Sequence, residues 1–223
     1  MILARDRDMT VNISAQTLSG TMDVDAFMAF VKTRPHGEHW ELIEGVAVMM
    51  APATYAHQRI AYNLCMLLNG AFAAHELDLF AYFDVGVRTT GVKNFQPQPD
   101  VVVVSGVAGY NLYSEHYQLV AEVLSPSNAR REIGMKLRHY RVAPDNLYAV
   151  VIEPREILVE IHAKSRDWQP LILTQADDLM EIAEFGLSCR VGDLYRGTPL
   201  GPIGRRGHAA EVAEDERDRR DDR

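Results

Sequence analysis

Two acidic side chains in the middle of the chain are of the type and placement that could hold a metal ion. Glu122 is set into the apolar run "YQLVAEVLSPS" (residues 117–127), and Asp100 opens the run "VVVV" directly after Pro99. A carboxylate buried without a partner is costly, and two carboxylates brought together repel until one takes up a proton. A divalent cation removes this conflict, because Mg²⁺ is typically held by one or two carboxylates together with water and phosphate oxygens. The spacing therefore predicts a site for Mg²⁺ or Mn²⁺ at Asp100 and Glu122.

A lysine and a tyrosine follow on one face of the next predicted helix. Lys136 and Tyr140 are separated by four residues, which is about one helical turn. A lysine beside a metal site can orient a water molecule or stabilise negative charge on a phosphate under attack. Structural interpretations remain open: Lys136 could pair with Glu132 on its own helix, and Tyr140 could simply pack with its hydroxyl group hydrogen-bonded. Asp100 could be a turn residue, and Glu122 could face solvent.

Hydrophobic periodicity predicts the elements that must position these residues. Three helices are expected at 21–33 with Thr21 as N-cap, at about 54–74, and at about 128–142. Strands are expected at 79–89, 100–105, 117–124, 147–152 and near 171–174, and two hairpins turn at Glu44–Gly45 and at Pro154–Arg155.

The run "VVVV" lacks polar alternation, so both of its faces should be covered. This predicts an α/β fold in which helices flank a mixed central β-sheet, with extra β-hairpins. If the strands at 100 and 117 are neighbours, Asp100 and Glu122 approach each other at one edge of that sheet.

Composition limits the protein class. The 223 residues fit one domain, and a hydrophobic fraction of 47% is that of an ordinary globular protein. The net charge of −8 disfavours a purely electrostatic nucleic-acid binder, but not an enzyme whose acidic site is neutralised by metal. Two widely separated cysteines and the lack of a long apolar run predict a cytoplasmic protein without a membrane segment.

Residues 1–20 are expected to be flexible, 21–203 to form the domain, and 204–223 to be a disordered charged tail.

The motifs "QPQPDVVVV" and "LVAEVLSPSNARREIGMK" resemble those of the PD-(D/E)XK nuclease superfamily. More narrowly, the chain is similar to a large bacterial family of uncharacterised restriction-endonuclease-like proteins, from about Met22 to Asp193. The resemblance implies a restriction-endonuclease-like core and metal-dependent hydrolysis of phosphodiester bonds. It places Asp100 and Glu122 as the metal-binding acids and Lys136 as a lysine that has moved to the helix. The usual strand position of that lysine is occupied here by Leu124.

Other residues have a functional and a structural interpretation. Glu44 is a hairpin residue, and the resemblance brings its region toward the acids as a third metal or water ligand. His57 is a possible accessory group or a surface residue of the first helical turn. The helix entry at Ser125 and Ser127 could receive a phosphate on its N–H groups. The neighbouring Arg130 and Arg131 either contact nucleic acid or are solvated.

The sequence therefore predicts an endonuclease that acts on DNA with Mg²⁺ or Mn²⁺, with a homodimer expected from the resemblance. The alternative is a catalytically degenerate domain of the same fold that binds nucleic acid or a partner protein.

Overall fold

The structure is a computed structural model that describes residues 21–106, 109–125 and 130–201. The helices are α1 (Val24–Val31), α2 (Tyr55–Ala74), α3 (Arg130–Val142) and α4 (Val191–Leu194), and 3₁₀ turns lie at Lys164–Arg166 and Ala183–Phe185. The strands are β1 (Trp40–Ile43), β2 (Val46–Met49), β3 (Leu79–Phe83), β4 (Gly86–Val87), β5 (Val101–Ser105), β6 (Tyr113–Ser114), β7 (Leu119–Val123), β8 (Tyr148–Glu153), β9 (Leu158–Ala163), β10 (Pro170–Leu173), β11 (Leu179–Ile182) and β12 (Leu187–Arg190).

A mixed six-stranded sheet forms the centre, in the order β10-β9-β8-β7-β5-β3. Its β7–β8 pair is parallel, and the other four pairs are antiparallel. Helix α3 is the crossover that a parallel pair requires, and it covers one face of the sheet. Three two-stranded pairs, β1–β2, β4–β6 and β11–β12, complete the described sheets. This architecture confirms the predicted α/β class with a mixed central sheet and extra hairpins.

Helix α2 covers the opposite face of the sheet. Its first turn is capped by Thr54, whose hydroxyl oxygen accepts a hydrogen bond from the His57 N–H at 3.2 Å. Ile60, Leu64 and Leu68 of α2 are fully buried in one cluster with alternate residues of two strands, Val101 and Val103 of β5 and Leu119, Ala121 and Val123 of β7. The predicted helix and its apolar face are confirmed, although Leu67 is only partly buried.

The alternation of strand side chains assigns each residue of β5 and β7 to one of the two faces. Val101 and Val103 pack with α2, whereas Val102 and Val120 belong to a second cluster that includes Tyr140 of α3. Val101–Val103 are all fully buried, which confirms that both faces of "VVVV" are covered.

Several predicted boundaries are wrong in detail. The N-cap of α1 is Asp23, whose carboxylate accepts the Ala26 N–H at 2.8 Å, rather than Thr21. The strand expected at 79–89 ends at Phe83, because Asp84 takes a positive φ of 51° that breaks the extended backbone.

The first hairpin turns at Glu44–Gly45 as predicted, with φ of 50° and 82°, the left-handed pair that tight hairpins favour.

The predicted termini at 1–20 and 204–223 lie outside the described residues. Within the part of the chain that is described, no helix has the length and apolar character needed to cross a bilayer.

Candidate functional site

Glu122 is buried in β7 and points toward α3. It is 3% exposed, and both of its oxygens are engaged by side chains of that helix. The Tyr140 hydroxyl donates to Oε1 at 2.6 Å, and the Lys136 ammonium donates to Oε2 at 3.1 Å. Two donors from one helix face therefore hold this carboxylate, and the predicted shared face of Lys136 and Tyr140 is confirmed.

Lys136 is fully buried and lies between two carboxylates. Its Nζ is 2.9 Å from both oxygens of Glu41 in addition to its contact with Glu122. Burial alone lowers the pKa of this ammonium group, but the negative charges of Glu122 and Glu41 and their hydrogen bonds outweigh it and raise the pKa. The ammonium group therefore stays charged. Among the described residues its ion pairs are with Glu41 and Glu122, and Glu132 makes none with it.

Glu41 is an acid of the candidate site that the sequence reasoning missed. It lies in β1, is 1% exposed, and its Oε1 also accepts the backbone N–H of Gln98 at 2.6 Å. The signal that could have found it is the one used for Glu122: a carboxylate between two apolar neighbours in a strand, here Trp40 and Leu42.

Glu44, the hairpin acid predicted from the resemblance, has different contacts. It occupies the β1–β2 turn, where its Oε1 accepts a hydrogen bond from Arg138 Nη2 at 2.8 Å. Both side chains of this pair are exposed, at 40% for Glu44 and 62% for Arg138. The hairpin acid in contact with Lys136 is thus Glu41.

Asp100 precedes β5 and completes the acidic cluster. The antiparallel register pairs Val101 with Ala121, so its continuation by one residue places Asp100 opposite Glu122. The Oδ2 atom of Asp100 accepts the backbone N–H of Val123 at 2.6 Å, next to Glu122. The predicted approach of the two strands is therefore confirmed, and it brings their acids to one edge.

His57 reaches the same cluster from the first turn of α2. Its Nε2 lies 2.8 Å from Oδ1 of Asp100, so both oxygens of that carboxylate have partners. Burial lowers the pKa of His57, but the hydrogen bond and negative charge of Asp100, a backbone interaction with Leu124 and the charge of Glu122 raise it more. The pKa is raised overall, and a protonated His57 would add a positive charge beside Asp100.

The carboxylates of the cluster outnumber the lysine, so the cluster carries net negative charge when His57 is neutral. Burial raises the pKa of Glu122, Lys136 lowers it, and the charges of Glu41 and Asp100 raise it again. The ionised state of Glu122 consequently depends on Lys136. Burial also raises the pKa of Tyr140, with the negative charges nearby, so its hydroxyl group remains a hydrogen-bond donor.

Comparison with known proteins gives the family. The family model described as "Uma2: Putative restriction endonuclease" matches residues 24–192, which is well over half of the chain. The chain belongs to this family. Over 80 residues it is 36% identical to the uncharacterized protein slr1290 of Synechocystis sp.. That match covers 35% of this chain and 42% of the relative, so it spans less than half of the relative's length.

The fold of this Uma2 chain is also similar to a solved structure. The crystal structure of "a putative nuclease belonging to DUF820" from Anabaena variabilis has a TM-score of 0.64 and covers 78% of this chain and 97% of its own. Sequence identity is 16%, so the likeness shows a shared fold.

The cluster fits a small, hard divalent cation by its donor chemistry. Its ligand-type atoms are carboxylate oxygens, which Mg²⁺ and Mn²⁺ prefer. No group of three or more His, Cys, Asp or Glu residues in the described segments is arranged around one metal position.

The predicted nucleic-acid contacts lie beside this cluster in the chain. Ser125 is half-buried just after β7. Ser127 lies outside the described residues. Arg130 and Arg131 are described only as the backbone start of α3.

Proposed function

We propose that this chain is a divalent-metal-dependent endonuclease that hydrolyses phosphodiester bonds in DNA. The observation that carries the proposal is the convergence of Asp100 and Glu122 from neighbouring strands, with Lys136 bound to Glu122. Membership of the family described as "Uma2: Putative restriction endonuclease" supports it. The order of these groups along the chain also matches the motifs that suggested a nuclease.

Asp100 and Glu122 are the residues that would hold Mg²⁺ or Mn²⁺. A bound cation would supply Lewis-acid polarisation of the scissile phosphate and a lowered pKa for an attacking water molecule. The side chain of Asp100 is 12% exposed, compared with 4% for Glu122, so Asp100 is the more accessible of the two carboxylates.

The surrounding residues orient these two carboxylates. The N–H of Val123 and Nε2 of His57 fix the two oxygens of Asp100, and the partners of Glu122 do the same from α3. A buried carboxylate held in one orientation is pre-organised, because it loses little conformational freedom when it binds an ion. Lys136 orients Glu122 through its hydrogen bond, and its positive charge also keeps Glu122 and Glu41 ionised together.

The direct test is cleavage of supercoiled plasmid DNA by the variant Asp100→Asn, which removes the charge and keeps the size. We expect the rate with Mg²⁺ or Mn²⁺ to fall by more than the roughly 10- to 100-fold typical of metal-supporting residues. The matched control is Asp145→Asn, because Asp145 pairs with His116 in an exposed ion pair away from the cluster. A normal melting temperature must accompany the loss. An unchanged cleavage rate in folded Asp100→Asn would refute the assignment.

One observation favours the alternative of a degenerate nucleic-acid-binding domain. Every carboxylate oxygen of Asp100 and Glu122 already has a protein partner, so the cluster is satisfied by protein groups alone. Titration calorimetry with Mn²⁺ separates the two functions. The nuclease proposal expects binding that is lost in Asp100→Asn, and a degenerate domain would bind no Mn²⁺ and cut no DNA.

A further inference from the structure

A stripe of large side chains runs along the outer face of α2. Tyr55, Arg59, Tyr62 and Met66 follow the helical repeat, so they lie on one face of α2. Tyr55 is 94% exposed, Met66 is 53% exposed and Tyr62 is 45% exposed. A continuous group of exposed large side chains of this kind marks an interaction surface more often than isolated exposed residues do.

The rings of this stripe are arranged as a stacking surface. Tyr62 and Phe83 from the end of β3 are parallel within 4°, with centroids 6.3 Å apart. The Arg59 guanidinium lies 5.4 Å from the centroid of the Tyr62 ring. Within the described parts of the chain Arg59 makes no salt bridge, so its charge is available to an anion. We call Tyr55, Arg59, Tyr62, Met66 and Phe83 the α2 platform.

A concavity adjoins the α2 platform. It has a volume of about 610 Å³ and is lined by Tyr55, Arg59 and Tyr62 on one side and by residues 197–199 on the other. The stem of Arg59 packs against Gly197 at its base, 3.6 Å from the position of a Cβ atom there. A volume of several hundred Å³ is that of typical ligand sites, and it can accept a planar base.

The α2 platform and the acidic cluster lie on opposite sides of the first turn of α2. The first turn of α2 directs Tyr55 outward and His57 inward to Asp100, so the two regions are separated by about one helix diameter, roughly 10–12 Å. At its other end, Phe83 is followed by Asp84. The antiparallel register of β3 with β5 pairs Phe83 with Val101, the residue that follows Asp100.

We propose that the α2 platform binds unpaired bases of single-stranded nucleic acid, with Arg59 contacting the phosphate backbone. This inference rests on the proposed function and names its substrate class: a strand with unpaired bases next to the scissile phosphate. Aromatic side chains bind bases through their π-faces, and in a duplex those faces are covered by neighbouring base pairs. The net charge of −8 favours stacking over bulk electrostatic attraction as the source of affinity.

The test measures binding in EDTA, so that cleavage plays no part. The probe is fluorescent oligo(dT) of about 16 nucleotides, the upper range of small single-strand-binding folds. Fluorescence anisotropy compares the native chain with Tyr55→Ala, Tyr62→Ala and the double variant. Tyr62→Phe keeps the ring, and Tyr110→Ala removes a fully exposed tyrosine elsewhere.

We expect each alanine variant to bind oligo(dT) about 5-fold or more weakly, which is the effect of one lost stacking contact. Tyr62→Phe and Tyr110→Ala should bind like the native chain, and duplex DNA of the same length should bind more weakly than oligo(dT). Equal binding by all variants would overturn the inference, and so would tighter binding of the duplex or binding of neither probe.

Loss of cleavage in Asp100→Asn with no effect of the alanine variants would reject the platform alone. Platform-dependent binding without metal-dependent cleavage would reject the nuclease alone.

Discussion

The two faces of the central sheet are formed by the same strands, but they bury different kinds of side chain. On the α2 face, Val101, Val103 and Ala121 pack in one cluster with apolar side chains of α2. On the α3 face, Val102 and Val120 also pack in an apolar cluster, but the next residue of β7 on that face is Glu122. Over two residues of β7, from Val120 to Glu122, the environment on this face therefore changes from an apolar core to a buried ionic cluster.

This difference shows that the α2 face mainly contributes stability, whereas the α3 face also holds the charged groups of the candidate site. The α2 face gains from the removal of apolar surface from water, about 25 cal/mol per Å². The α3 face includes groups that are costly to bury and are tolerated because each has a partner. Losing one apolar group on the first face leaves a cavity, whereas losing one charge on the second leaves another charge unpaired.

The largest expected effect is that of Lys136→Met on the α3 face. Removal of the ammonium group leaves Glu41 and Glu122 buried without their cation, which should lower the free energy of unfolding by about 3–5 kcal/mol. Urea denaturation measures this loss, and Lys93→Met is the exposed control. The double variant Lys136→Met with Glu122→Gln should regain part of the stability and no cleavage activity. If the single variant were as stable as Lys93→Met, the contrast between the faces would fail.

Leu64→Ala tests the α2 face. Leu64 is fully buried in the apolar cluster, so its truncation should lower the free energy of unfolding by about 2–5 kcal/mol through lost burial and the remaining cavity. The DNA cleavage rate, measured well below the melting temperature, should stay near that of the native chain. A cleavage rate that falls together with stability would show that the two faces are not separable.

Tyr140→Phe should have the smallest of these effects. It removes the hydroxyl group that donates to Oε1 of Glu122 and keeps the ring packed, at a cost of about 1.5–3 kcal/mol for a hydrogen bond to a charged group. Thermal and urea unfolding measure the stability. If the bond orients the carboxylate, cleavage should fall more than stability alone explains, and calorimetry should show weaker Mn²⁺ binding. A change in stability without a change in Mn²⁺ affinity would make Tyr140 a packing residue.

Sequence periodicity and capping residues predicted the parts of the fold that depend on local sequence. Helix α2, with its Thr54 cap and apolar face, and the buried strand β5 follow from periodicity and capping chemistry. The shared helix face of Lys136 and Tyr140 could also be predicted from their spacing, and Glu122 could be singled out as a carboxylate that interrupts an apolar strand.

The parts that depend on packing between distant segments were not predicted. The resemblance indicated Glu44, but the acid that reaches Lys136 is Glu41, which enters because β1 is buried along its whole length. The choice between Thr21 and Asp23 as N-cap depends on where the backbone turns helical, since both residue types can cap. The C-terminal pair β11–β12 and α4 lacked a pattern that separated them from other short apolar segments.

The contact between Lys136 and Glu41 joins residues that are 95 positions apart in the sequence, whereas Glu122 is only 14 positions from the same lysine. During folding, the short crossover unit can form early, and closure of the longer loop comes at a greater entropic cost. The second carboxylate thus reaches the ammonium group only when the N-terminal hairpin has docked. A chain that stops short of this step would contain the contact between Lys136 and Glu122 but would lack the second carboxylate of the native buried cluster.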